Sequence, residues 1–166
     1  MKKLIALVLA MVMVFSLAAC SNTAKTENAD LGTLPEIIDK MYEKADLDAE
    51  TREFVDSDIY GPVTYELEKE NLVYYFGVEI PDAEEAYASE PEMNANPFSI
   101  CLVRVKDGTD VEALKADIKA NANPHKWVCV EVDPSDVRVE NIGNVVILIM
   151  ANNSEKYADA FLSLAE

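Results

Sequence analysis

Val137-Arg138-Val139-Glu140-Asn141-Ile142-Gly143-Asn144-Val145-Val146-Ile147-Leu148-Ile149-Met150 is the stretch on which the fold turns. Val137 to Glu140 alternates apolar and polar residues as a half-buried strand does, and Asn141-Ile142-Gly143 supplies turn chemistry. From Val145 to Met150 six apolar residues follow one another without alternation. Such a run predicts a central strand covered on both faces or nearly so. The two parts make an antiparallel hairpin whose second strand lies inside a sheet.

Outward from the hairpin, Phe98 to Lys106 is another strand pattern, with Cys101, Val103 and Val105 on one face and Asp107-Gly108 closing it. Ala83 to Glu90 reads as its neighbour across a loop from Pro91 to Pro97. Thr109 stands where it can cap a helix running to about Asn121, with Val111, Leu114 and Ile118 at helical spacing. Asn123-Pro124 predicts a turn of helix leading into a strand on which Val128, Val130 and Val132 alternate. Ser154 is placed to cap a last helix carrying Tyr157, Phe161 and Leu164 at i, i+4 and i+7.

Toward the N-terminus, Thr33-Leu34-Pro35-Glu36 has the form of a capping box, and Leu34, Ile37, Ile38, Met41 and Tyr42 make the stripe of an amphipathic helix. A short helix from about Asp48 carries Phe54 and Val55 and ends before Gly61-Pro62. Between Val63 and Ile80 two periods compete. Val63, Tyr65 and Leu67 alternate like a strand, while Leu72, Tyr75 and Phe76 repeat like a helix ending at Gly77. The helix is the favoured reading. The expected fold is α+β: a single domain with an antiparallel sheet of about four strands, helices packed mainly on one face, and an N-terminal helix ahead of it.

Met1-Lys2-Lys3 and the apolar run from Leu4 to Leu17 have the layout of a secretory signal. The run is roughly 14 residues long, short of the about 20 that span a bilayer as a helix. It ends in Leu17-Ala18-Ala19-Cys20, which resembles the lipobox of bacterial lipoproteins, with cleavage after Ala19 and lipidation of Cys20. Two acyl chains, at about 0.8 kcal/mol per buried CH₂, give stable anchoring. Ser21 to Gly32 is polar and aperiodic, a tether of roughly 20 Å r.m.s. span. The expected organisation is therefore a removed signal peptide at 1–19, a lipidated cysteine and tether at 20–32, and a globular domain at 33–166. Its place is the extracytoplasmic face of the cell membrane.

The chain carries 14 basic and 31 acidic residues. Loss of the first 19 residues removes Lys2 and Lys3 and no acid, leaving 12 against 31, a net charge of −19. That balance argues against a nucleic-acid partner, whose phosphates need Lys and Arg. It also means that anionic lipid repels the domain, so the lipid on Cys20 must do the anchoring. With Cys20 acylated, Cys101 and Cys129 remain, each among apolar neighbours. An oxidising compartment permits a disulfide between them, and two buried thiols fit the same pattern.

Four blocks carry a resemblance. Glu70 to Gly77 (ENLVYYFG), Ser99 to Asp107 (SICLVRVKD), Lys126 to Glu131 (KWVCVE) and Asn141 to Met150 (NIGNVVILIM) look like those of an uncharacterised lipoprotein family of clostridia and related bacteria, a domain of unknown function. The likeness spans roughly residues 34–165. It implies the membrane address and the single domain, and it brings no catalytic residues. At His125 the family pattern has Arg or Gln.

No residue set for a known reaction is assembled. His125 is the only histidine, and neither HExxH nor paired-His spacing occurs, nor a G-x-S-x-G elbow. The acidic run from Asp46 to Asp58, laid on a Ca²⁺-binding EF-hand loop, has Thr51 at the glycine position and Ser57 at the final glutamate. The match fails, and helix capping with solvation accounts for these acids. Glu84/Glu85 and Glu90/Glu92 are pairs of the glycosidase kind with nothing to distinguish them from exposed acids. Tyr74, Tyr75, Phe76 and Trp127 could line a ligand or peptide groove or fill the core. Catalytic residues, metal ligands and cofactors are expected to be none. The expected role is a non-catalytic binding module with a protein or cell-envelope partner. A Ca²⁺-stabilised module and an extracytoplasmic enzyme of unrecognised type are the alternatives.

Overall fold

The computed structural model describes residues 31–93 and 96–166. The expected signal segment with Ala19, the expected lipidation site Cys20 and the expected tether as far as residue 30 lie outside the described residues.

The first helix, α1 (Leu34–Lys44), begins as its sequence dictates. Thr33 Oγ1 accepts from the Glu36 N–H and Glu36 returns a bond to the Thr33 N–H at 2.9 Å, so two helix-end donors are satisfied reciprocally. Its stripe of Leu34, Ile37, Ile38 and Met41 is buried. Next come α2 (Ala49–Val55), capped by Asp48, then β1 (Pro62–Glu66), a 3₁₀ turn (Lys69–Asn71) and α3 (Leu72–Phe76). The strands β2 (Ala83–Pro91) and β3 (Phe98–Val105) precede α4 (Val111–Asn121). A 3₁₀ turn (Pro134–Asp136), β4 (Val137–Ile142), β5 (Val145–Ala151), α5 (Ser154–Leu162) and a closing 3₁₀ turn (Ser163–Ala165) complete the chain.

The architecture is α+β, with one antiparallel sheet in the order β1-β2-β3-β5-β4. It has five strands where about four were expected. Both periods between Val63 and Ile80 are realised in succession: Val63 and Tyr65 belong to the edge strand β1, and Leu72 to Phe76 form α3. Gly77 follows α3 at φ 77°, and its N–H donates to the Val73 carbonyl at 2.9 Å. A Cβ there would lie 2.2 Å from the Asn121 carbonyl oxygen, so this glycine also lets the end of α4 close on the end of α3.

Every residue of β5 is buried, and the sheet has an apolar layer on each face. On one, Phe98, Ile100 and Leu102 of β3 and Val145, Ile147 and Ile149 of β5 meet α1 and α5. On the other, Cys101, Val103, Val105, Val146, Leu148 and Met150 meet α3, Ile118 of α4 and Trp127. Helices thus cover both faces, not mainly one. The unalternating run of β5 requires this, because a strand with no polar side needs cover on both.

Four local expectations are corrected. The cap of α4 is Asp110, which accepts from Ala113 N–H at 3.0 Å, while Thr109 donates to the Lys106 carbonyl and closes the preceding turn. Ser154 is the first residue of α5, and the cap position belongs to Asn153, held at φ 61° with no side-chain cap bond. No strand forms over 128–132. Cys129 takes φ 73° there, breaking the period of two, so that Val128 is 77 % exposed while Val132 is buried. Finally, Leu31 is buried in the core and the Gly32 carbonyl accepts from Arg104 at 2.8 Å, so the packed unit begins two residues ahead of the boundary at 33.

Candidate functional site

Register brings together groups far apart in sequence. Val63 of β1 lies opposite Glu90 of β2, Tyr65 opposite Ala88, and Ala88 opposite Cys101 of β3. Side chains two residues apart on a strand share a face, so Val63, Tyr65, Glu90, Ser99 and Cys101 all project toward α3. The loop after α4 lays Lys126 and Trp127 over them.

Lys126 is the centre. Its side chain is 3 % exposed, and its ammonium bonds to the carboxylate of Glu90, which is 15 % exposed. It also donates to Ser99 Oγ at 3.0 Å and lies 5.5, 5.1 and 5.3 Å from the ring centres of Tyr74, Tyr75 and Trp127. A desolvated ammonium among three rings gains cation–π attraction of about 2 kcal/mol or more. The second Glu90 oxygen accepts from the Tyr65 hydroxyl at 3.1 Å, and the Tyr65 and Tyr75 hydroxyls are 3.3 Å apart. Burial, the bond to Tyr75 and the Glu90 charge together hold the Tyr65 phenol well above its ordinary pKa.

Ser99 beside Lys126 has the composition of a nucleophile and its base. Ser99 is fully buried, however, and the ammonium is already engaged by Glu90. Ser99 Oγ lies 3.3 Å from Cys101 Sγ, whose thiol is pushed up to about 11 by burial, with Lys126 opposing. This network holds a surface in place; its inner groups are shut away from substrate.

The surface it holds is apolar. Among the described residues nine large apolar side chains are exposed, and eight of them fall on β1 and its approach, on α3, or close in sequence to Pro91 or Trp127. Ile59, Tyr60, Val63 and Tyr65 belong to β1 and its approach, and Val73 and Tyr74 to α3. Met93 follows Pro91, the partner of Pro62, and Val128 adjoins Trp127. Tyr74 is 60 % exposed while its ring stacks edge-on against Tyr75, at 5.0 Å. The rings of Tyr65 and Tyr74 both meet Tyr75, so this part of the exposed apolar surface is continuous, and such surface marks interaction sites.

Of the four expected groove residues, Tyr74, Tyr75 and Trp127 meet here. Phe76 does not: it is fully buried, one residue further round α3 and packed into the core. Cys101 and Cys129 are both free, the first buried and the second exposed, which removes the bridge as well as the reading of two buried thiols. The positive φ at Cys129 turns it outward from its apolar neighbours. His125 is exposed, with Nδ1 2.7 Å from Glu131 Oε2. Cys129, His125 and Glu131 edge one shallow recess, but no bond joins the thiol to the imidazole among the described residues, so they do not form a nucleophile and base.

Of the acids, Asp48 caps α2, Glu85 pairs with Arg104 at 2.7 Å, and Glu90 is the buried partner of Lys126, not an exposed strand acid. No group of three or more His, Cys, Asp or Glu able to hold a metal ion occurs among the described residues. No helix among them is long and apolar enough to cross a membrane. No protein-family model, curated protein or solved structure matches the chain.

Proposed function

We propose that this protein is a lipoprotein of the extracytoplasmic membrane face, anchored through Cys20, that works as a non-catalytic binding module and belongs with the clostridial lipoproteins it resembles. The binding face is the apolar surface along β1 and α3. The observation that carries the binding role is the exposed Tyr65 and Tyr74, joined through Tyr75 over the Lys126–Glu90 pair, with Val63 and Val73 exposed on the same two elements. A fixed aromatic surface loses little conformational entropy on association, and Tyr and Trp are the residue types enriched at interface centres. The edge of β1, unpaired among the described residues, adds main-chain donors and acceptors beside it. A protein of the cell envelope suits such a face.

Two experiments test the two halves separately. Membrane fractionation of Cys20→Ala should move the protein from the membrane to the soluble fraction, and undiminished retention overturns the anchor. Photo-crosslinking from position 74 in native membranes should give a discrete adduct that disappears when Val63 and Tyr65 are changed to Ser. Adducts that persist in that variant overturn the assignment of the face.

A further inference from the structure

The register of β1 fixes which of its main-chain groups face outward. Leu67 N–H donates to the Ala86 carbonyl at 2.8 Å, one step beyond the pairing of Glu66 with Tyr87. Bonded and unbonded pairs alternate along an antiparallel ladder, so Tyr65 and Val63 turn their N–H and C=O toward β2. Thr64 and Glu66 turn theirs away from it. Pro62, next in that series, has a carbonyl and no donor. Among the described residues no strand lies on that side of β1.

Charge along this edge is of one sign. Where β1 ends, a recess of about 330 Å³ is lined by Glu66, Glu68, Glu70, Glu84 and Glu85, with Lys69 the only base in its lining. Glu85 is engaged by Arg104. Glu66, Glu68, Glu70 and Glu84 are exposed and make no ion pair among the described residues. At the other end Glu92 is exposed beside Pro91, the partner of Pro62. Like charges opposed across strands destabilise the pairing, and a charged edge turns away strands of its own sign. A second copy, with a net charge of −17, is turned away with them. A strand of opposite sign is admitted.

The two faces of β1 set the rest of the pattern. Val63 and Tyr65 are exposed on the side of α3, and Thr64 and Glu66 alternate onto the other side. We infer that the partner of this face is an extended basic segment that adds to β1 as a further strand. Its main chain bonds to Thr64 and Glu66, its apolar side chains lie beside Val63 and Tyr65, and its Lys or Arg side chains meet Glu66 and the recess. This rests on the reading of β1 and α3 as the binding face and adds the conformation and charge of what binds there.

Hydrogen exchange on the full chain in non-ionic detergent tests it, with a Lys-Val-Lys-Val-Lys-Val-Lys peptide at about 1 mM, tenfold above a Kd of about 0.1 mM. The amides of Thr64 and Glu66 should exchange about tenfold more slowly, the limit set by that occupancy. Proline at the centre of the peptide keeps its charge, removes a donor and should abolish the protection. Glu66→Gln, at an exposed position, should keep the fold and weaken the peptide about fivefold, the ~1 kcal/mol of one cross-strand charge pair. No slowing by the basic peptide, or equal slowing by the proline peptide or by its Glu-Val counterpart, overturns the inference. Slowing that grows with protein concentration in the absence of peptide assigns the edge to a second copy and also overturns it. If the crosslink from position 74 persists while Thr64 and Glu66 stay unprotected, strand addition alone falls; loss of both removes the binding face as well.

Discussion

Replacing Lys126 by Met tests the base of the binding face. Methionine keeps the unbranched apolar stem, one atom shorter, and removes the charge together with the donors to Glu90 and Ser99. In wild type the ammonium answers a carboxylate that is 15 % exposed and, among the described residues, otherwise bonded only to the Tyr65 hydroxyl. Breaking a buried pair by removing one partner costs about 3–5 kcal/mol. Residual access of water to Glu90 puts this site at the lower end, near 3 kcal/mol by the same scale. The lost cation–π attraction is offset in part by sulfur–aromatic contact worth about 0.3–1.5 kcal/mol per ring. At roughly 3–5 °C per kcal/mol for a domain of this size, the melting temperature should fall by about 10–15 °C. Urea unfolding followed by far-UV circular dichroism reads the free energy directly. The companion variant, Lys126→Met with Glu90→Leu, removes the orphaned charge and should regain at least half of the loss, since apolar replacement of a whole buried pair is often neutral. A single variant within about 1 kcal/mol of wild type, or a double variant no better than the single, would refute the account of Lys126 as the answered charge under the aromatic surface.

Gly77→Ala should destabilise by more than the about 1–2 kcal/mol of a left-handed non-glycine residue, because the added carbon meets the Asn121 carbonyl at 2.2 Å; thermal melts read the loss. In a Cys20→Ala background, a thiol reagent at pH 8 should modify Cys129 at once and Cys101 only after unfolding. The Cys101 thiol is buried and its pKa is pushed up to about 11, and two fast thiols would contradict its placement. Glu36, Asp48 and Asp133 are held below their ordinary 4.5, 3.8 and 3.8 by bonds from the backbone N–H of Thr33, Thr51 and Ser135. Folded values lower than unfolded ones mean that their contribution is full above about pH 4.5 and lost as the pH falls through the folded values. Melting temperature should therefore drop on acidification below pH 4.5, and drop less steeply in Glu36→Gln with Asp48→Asn.

How far the fold was legible follows from the range of the forces involved. The capping box at Thr33, the Asp48 cap, the central strand at Val145–Ala151 and the Gly77 stop are decided by residues within a few positions of one another, and each appears as the local pattern predicts. β1 was harder because Thr64, Tyr65 and Glu66 become a strand only through pairing with Tyr87 to Ser89, more than 20 residues away. The alternating valines at 128–132 misled because alternation records which side is apolar and says nothing about whether a neighbouring strand exists. At the candidate site, Tyr74, Tyr75 and Trp127 were visible as aromatics. The Lys126–Glu90 pair that unites them was not, since 36 positions separate the two and nothing local marks either as buried. Cys129 failed for a related reason: a single positive φ outweighs the character of its neighbours.

Arg104 sits in β3, the middle strand of the five, and reaches out of the sheet to bond Glu85 on β2 and the carbonyl of Gly32. Lys40 of α1 likewise holds the Leu31 carbonyl at 3.2 Å. Tension arriving along the chain from its N-terminal side therefore meets a clasp before it reaches α1. The load passes through the guanidinium into a strand bonded on both sides, where many ladder bonds must shear together before any gives way. A domain built so resists being drawn out from that end.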